Sequence, residues 1–523
     1  MHIPNMKTYK YNREILRGAC MRLIFSKRKI KVMGIILGLL FMANFASEYE
    51  ILKSVPTGFQ REYENETSTE YNIKGEFDPV EKLVTIKENI SYINTSKATF
   101  KSIYLHLYPN AFKEEKTVPF EECDMPLAYP NGFESGYMRI INVKSGNENL
   151  KFNVIGIGDS ILKIELKEDL KPGEKVHVDI DYMLKIPPSC GRFGYGSDTI
   201  NLGNWYPIMA VYDEKGWNLD PYFAIGDPFY SHVANYRVEI LVPKEYNMAY
   251  SGKIIKKEEI NGKIRWTMEG KNIRDFALII SDKYKVRETD LDGITVKSYS
   301  LEEDYIGLAL ETAEDSVKIF NSLYGKYPYD QITVAASDFF IGGMEYPNIV
   351  FIDKSLYSEE RKQTLEYVVA HEVAHQWWYG LVGNNEVKEA WLDEALTEYS
   401  TLLYYEKKYG KKAKNAIYED MIVRYYNAYK NSKNGNTEKV YRSVSEFNNS
   451  REYQALVYFK GAIFVENLRK ELGDDTFFKI LKVYFDKYKY KIAKTDDFLN
   501  VCEQISNQNL EHFFKKWIDF EKR

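Results

Sequence analysis

The chain is 523 residues long, 44% apolar and 28% charged, which are the proportions of a folded protein with ample core; they exclude a disordered chain and call for two or three domains. The formal charge of -5 is unevenly spread, because nine of the 71 basic side chains but only one of the 76 acidic ones lie in residues 1–31. The acidic remainder excludes a nucleic-acid binder that works by displacing counterions from phosphates.

The basic segment 1–31 runs into Val32 to Ala46, where Asn44 is the only strongly polar residue. That order reads as an export signal or a membrane anchor whose basic side stays in the cytoplasm. The tract is shorter than the roughly 20 apolar residues of a full span, which favours a signal. Asn44, however, stands where a cleavage site wants a small residue, so cleavage and retention both remain open. Either way, the expected location of the bulk of the chain is extracytoplasmic, secreted or membrane-anchored through residues 32–46. Beyond Cys20 there are Cys123, Cys190 and Cys502, none at metal-cluster spacing; a Cys123–Cys190 bridge and free thiols are both compatible with that pattern.

Residues 50–288 read as strands and turns. The stretches beginning at Ile103, Val176 and Tyr236 alternate apolar and polar residues, and Lys171 to Lys175 has turn chemistry. This predicts a β-rich, sandwich-like domain. From 289 to 523 the pattern changes. Two short strands, "ITVAAS" and "NIVFID", bracket "DFFIGGMEYP", and helical segments follow Ser358. Ser358 is expected to cap the first helix and Gly380 to stop it, which places "HEVAH" in mid-helix. A second helix is expected from about Lys388 to Tyr409.

On a helix His371 and His375 sit one turn apart on one face and can direct both imidazoles at one point, with Glu372 beside it. This is the H-E-x-x-H arrangement, in which two neutral imidazoles bind zinc and the glutamate acts as a base toward water. A catalytic zinc needs a third protein ligand, and Glu394 on the second helix is placed to supply it. Asp393 and Glu398, its neighbours, fit surface carboxylates. Trp377, Trp378 and Trp391 fit core packing, Lys460 a structural lysine, and His106, His177, His232 and His512 show no ligand spacing.

H-E-x-x-H, eighteen intervening residues and then Glu394 within "WLDEA" resembles the gluzincin aminopeptidases of the aminopeptidase N and leukotriene hydrolase family. "GGMEY" at Gly342–Tyr346 resembles the family's Gly-Ala-Met-Glu-Asn exopeptidase motif, and "YFKGA" at Tyr458 resembles its Tyr-x-Lys-Gly-Ala segment. The resemblance is strongest over 290–523 and loose over the β-rich half, where "NWYPIMAVYDEKGWN" is similar to a bacterial branch. It implies a β-sandwich-like domain followed by a thermolysin-like, mainly helical zinc-peptidase domain. It further implies one Zn2+ on His371, His375 and Glu394, with Glu372 as general base and Tyr458 as donor to the oxyanion. Gly342, Gly343, Met344 and Glu345 would then bind peptide substrate, with Glu345 pairing with its free α-ammonium.

Three departures from that family stand out. Tyr346 replaces its asparagine, its amino-terminal-domain glutamine has no evident counterpart, and its large helical carboxy-terminal domain does not follow Trp517 in this sequence. A more open cleft is the expectation from the last. The rival readings are a zinc endopeptidase of the same fold and an exported binding or scaffold protein without turnover. The oligomeric state is not legible.

Overall fold

The computed structural model describes residues 69–432 and 438–522; Val32 to Ala46 and the basic segment lie outside them. Among the described residues, no helix is long and apolar enough to cross a membrane.

Alternating burial builds the first half. In Lys175–Lys185, Val178, Ile180, Tyr182 and Leu184 are buried while Asp179 and His177 face water, so one face of the strand can enter a core. An eight-stranded sheet runs in the order Lys253–Ile260, Lys263–Ile273, Ala234–Pro243, Thr69–Asp78, Leu83–Ile93, Lys175–Lys185, Tyr137–Ser145, Glu148–Asn149. Its pairs are antiparallel except Thr69–Asp78 with Ala234–Pro243. Two four-stranded sheets, one containing Phe100–His106 and the other Leu278–Ser281, share a single hydrophobic core with it. The predicted strands at Ile103, Val176 and Tyr236 are all present.

A five-stranded mixed sheet separates this core from the helical half. Its order is Lys285–Leu291, Ile294–Ser300, Gln331–Ser337, Ile349–Asp353, Gly343–Met344. Gln331–Ser337 is buried throughout, because its two faces enter different cores: Ile332 and Val334 pack with the helices, and Ala335 packs with the β-rich half. Burial follows the same rule on the next strand, where Val350 and Ile352 face the helices and Ile349 and Phe351 face the sandwich.

Four helices matter for the site: α1 (Ile306–Leu323), α2 (Lys362–Ala374), α3 (Trp391–Tyr409) and α4 (Gly461–Leu472). α1 buries Ala309, Ala313, Val317 and Phe320, one stripe at helical spacing. In α3, residues from Trp391 to Tyr405 are buried on every side, so it is the central helix, with α2 and α4 packed against it.

Two helix-end expectations are corrected. Ser358 precedes a short 3-10 turn, Glu359–Arg361, and its side chain makes no capping bond. α2 stops at Ala374 rather than near Gly380, so the motif occupies its last turn. Beyond it the N–H groups of Gln376 and Trp377 donate to carbonyls three residues back, and that of Gly380 donates to His375 O. Tyr379 adopts a left-handed φ of 114°, and Val382–Gly383 pairs in parallel with Lys491–Ile492. Tertiary pairing therefore ends the helix before any glycine does. Cys123, Cys190 and Cys502 are all free thiols.

Candidate metal centre and catalytic site

α2 and α3 bring His371, His375 and Glu394 together. Glu394 Oε2 lies 3.5 Å from His371 Nε2 and 3.4 Å from His375 Nε2, and all three residues are buried. His375 keeps helical backbone angles at the cap of α2, so the one-turn spacing of the two imidazoles survives the early helix end.

The opposite edge of each ring fixes its tautomer. His375 Nδ1 donates to Trp378 O at 3.0 Å, with Thr397 Oγ1 at 3.1 Å. His371 Nδ1 meets Glu398 Oε2 at 3.0 Å, and Tyr367 OH donates to the other oxygen of that carboxylate. With protons on both Nδ1 atoms, two imidazole lone pairs and a carboxylate oxygen face one another. Three acceptors at such range repel unless a cation lies among them, and a carboxylate or carbonyl behind each imidazole is the usual support of a metal-binding histidine. The donor set of two imidazoles and one carboxylate fits zinc.

Glu398 and Asp393 are thereby corrected: both are buried, at 0% and 1% exposure, rather than on the surface. α3 is buried on every side from Trp391 to Tyr405, so the carboxylates of that stretch, Asp393, Glu394 and Glu398, are held inside the protein. A run of charges in a single sequence does not distinguish that from a solvated face.

Glu372 follows His371 and is buried, with its Oε2 free of hydrogen-bond partners. Burial pushes its carboxyl up to about 7, the nearby Glu394 and Asp227 charges adding to this and the two histidines opposing it. Gly343 explains how the edge strand comes so near: a Cβ there would sit 2.2 Å from Glu372 Oε1. The Gly342–Glu345 segment thus runs directly past the glutamate.

Glu345 is buried and its Oε1 has no partner. Burial, then Asp227 and other neighbouring acids, push its carboxyl well above the usual range. Gln376, the residue after His375, fixes its backbone, donating to Glu345 O and Tyr346 O while its Oε1 accepts from Asn348 N at 2.8 Å. Met344 and Tyr346 turn into the β-rich core, where Tyr346 OH donates to Asn204 Oδ1 at 2.7 Å. The tyrosine found where the resemblance called for asparagine therefore anchors the motif to the first half of the chain.

Tyr458 lies on a π-helical turn, Gln454–Lys460. Its ring stacks on His371 at 5.8 Å, and its OH donates to Glu394 Oε1. Lys460 reaches Glu438 O and stays structural. Trp377, Trp378 and Trp391 are core residues, each with its indole N–H bonded, to Gly325 O, Ser400 Oγ and Thr495 Oγ1.

Sequence reasoning missed one pair. Arg192 and Asp227, both from the β-rich half, form a buried ion pair, and Arg192 Nε also reaches Met344 Sδ. Asp227 feels the charges of Glu394 and His375, which puts it at the rim of the constellation. No local spacing signals a pair 35 residues apart.

Comparison with known proteins agrees with this geometry. Residues 308–517 match the peptidase family M1 domain. The chain carries a family M1 peptidase domain. The M1 match contains His371, His375, Glu394 and Tyr458. Aminopeptidase N of Lactococcus lactis subsp. lactis is 28% identical over 232 residues, 42% of this chain and 27% of that protein. Endoplasmic reticulum aminopeptidase 2 of Bos taurus is 25% identical over 365 residues, 66% of this chain and 37% of that protein. The chain spans about a third of the length of such relatives. Among solved structures, an M1 zinc metallopeptidase from Deinococcus radiodurans superposes with a TM-score of 0.63 at 16% identity, covering 87% of this chain and 94% of that one. The fold is thus the M1 one, a sheet-rich region followed by a helical peptidase domain.

Proposed function

We propose that the chain is a zinc-dependent aminopeptidase that hydrolyses the first peptide bond of substrates with a free amino end. One observation carries this reading: both imidazole Nε2 atoms lie within 3.5 Å of Glu394 Oε2 while the Nδ1 atoms face Trp378 O and Glu398 Oε2. His371, His375 and Glu394 would hold the metal. Zinc bound there supplies Lewis acidity, polarising the scissile carbonyl and lowering the pKa of water.

The chain's own residues do the rest. Glu372, with a free carboxylate oxygen, takes the proton from the attacking water and passes it to the departing amine. Tyr458, whose hydroxyl already sits beside Glu394, donates to the carbonyl oxygen as charge develops on it, an interaction that lowers the barrier more than it tightens binding. Glu345 pairs with the α-ammonium, and the Gly342–Gly343 backbone admits an extended peptide along the edge of the five-stranded sheet. Peptides are the substrates in this reading. Export through Val32 to Ala46 belongs to it as well, and would place the activity outside the cytoplasm.

The test compares the purified full chain with Glu372→Gln. The unsubstituted protein is expected to contain one zinc per chain, to lose turnover of a free-ended fluorogenic peptide on chelation and to regain it with zinc. Glu372→Gln is expected to keep the zinc and lose at least about a thousandfold in kcat, the loss of a proton-transfer group that nothing replaces. Full activity in that variant would remove Glu372 from the mechanism.

A further inference from the structure

Beside Glu345 lie two further buried carboxylates, Glu386 and Asp393, that none of these steps uses. Ligand oxygens of Glu345, Glu386 and Asp393 lie within 4.8 Å of one another, and the three residues are 3%, 1% and 1% exposed. Neither oxygen of Glu386 has a hydrogen-bond partner, nor has Glu345 Oε1 or Asp393 Oδ2. Asn384 holds the other Asp393 oxygen, its Nδ2 donating to Oδ1 at 3.0 Å, which turns Oδ2 toward the group. The Tyr379 hydroxyl is likewise buried without a partner, and it feels the charge of Glu386 before that of any other acid. Tyr379 is also the residue held at a φ of 114°, a strained conformation that persists where the surroundings require it.

The spacing points to one small cationic group. Three acceptors up to 4.8 Å apart can each lie about 2.8 Å from a common point, the length of a charge-assisted N–H···O bond. A primary ammonium presents three N–H donors and no acceptor. Glu345 ties the triad to the reaction centre, since its carboxylate also lies within 4.8 Å of ligand atoms of Glu372 and His375.

We propose that Glu386 and Asp393 complete, with Glu345, a three-carboxylate receptor for the α-ammonium of the substrate. This rests on the aminopeptidase reading and adds to it that selection for an unblocked amino end depends on Glu386, a residue outside the motifs of the resemblance. A blocked amino end brings no cation and leaves the three acids facing each other.

The experiment uses the full chain, zinc-loaded, with Glu372→Gln to prevent turnover. Calorimetry measures binding of L-leucinamide and of 4-methylpentanamide, the same molecule without its amine, before and after adding Glu386→Gln. The expected result is at least a tenfold loss of leucinamide affinity with the des-amino amide unchanged within twofold. Asp393→Asn is measured in parallel, and melting curves report folding, so one misfolded variant does not remove the test. Equal weakening of both ligands, or of neither, overturns the proposal. A second divalent ion per chain that disappears in Glu386→Gln also overturns it, because an all-oxygen triad would then be a hard-cation site. Cleavage of free and acetylated peptides by the unsubstituted chain reports separately on the aminopeptidase reading: equal cleavage sinks that reading, whereas free-end selectivity that survives Glu386→Gln sinks only this proposal.

Discussion

Two buried aspartate- and glutamate-bearing regions of the molecule treat their charges in opposite ways. In the β-rich half, Asp275 accepts from Asn204 Nδ2 at 2.6 Å, Tyr206 OH at 2.9 Å and Phe276 N at 2.7 Å, so both its oxygens are satisfied within the fold. Between the strand edge and α3, Glu345, Glu372, Glu386, Asp393 and Glu394 each keep at least one oxygen without a partner. Glu88 in the sandwich also lacks partners, but among the described residues no group of ligating side chains forms around it. A satisfied buried carboxylate has finished its work once the chain folds. A cluster of unsatisfied ones is tolerable only where a cation or a ligand offsets the cost of burial.

The contrast can be broken at several points. The largest effect expected in the β-rich half comes from His106, buried with Nε2 on Asn218 O. Burial pushes its pKa down to about 4, the Asn218 carbonyl partly opposing this. A histidine whose folded pKa is depressed contributes stability that is complete above its unfolded value near 6.5 and is lost as pH falls toward 4. Over that window the loss amounts to roughly 3 kcal/mol. Denaturant melts at stepped pH should show this slope in the unsubstituted protein and a flatter one in His106→Gln; equal slopes would mean that His106 titrates normally.

On the site side, Glu398→Gln removes the charge behind His371 Nδ1 while keeping its shape. Zinc affinity, measured by competition with a chromophoric chelator, should fall about 10- to 100-fold, the usual effect of losing such a support. The melting temperature of the metal-free protein should barely move. A large fall in stability with unchanged zinc affinity would place Glu398 with Asp275 as a folding residue. The smallest effect is expected from Tyr206→Phe, which leaves one donor fewer on Asp275. It should cost about 1 kcal/mol in stability, with turnover per folded molecule unchanged.

The parts of this molecule that could be read in advance are those set by local chemistry. Alternation at Val176–Tyr182 reports a half-buried strand, because side-chain direction has a period of two. His371 and His375 report a common face, because four residues make about one helical turn. The end of α2 could not be read, since Tyr379 and the Val382–Gly383 pairing with Lys491–Ile492 depend on chain more than a hundred residues away. Nor could the Arg192–Asp227 pair or the inward turn of Glu386, Asp393 and Glu398. The charges of α3 look the same in sequence whether they face water or a metal, and only packing on both flanks makes it the central helix. Tyr346 was legible as a departure but not as an anchor, because its partner Asn204 lies 142 residues earlier.

The most direct measurement is the rate at which the zinc-loaded full chain cleaves matched fluorogenic peptides with free and acetylated amino ends. The account predicts cleavage of the free peptide at the first bond, with the acetylated one at least a hundredfold slower, because acetylation removes the cation that Glu345 is buried to receive. Equal rates on the two peptides would contradict it and assign the metal centre to an endopeptidase.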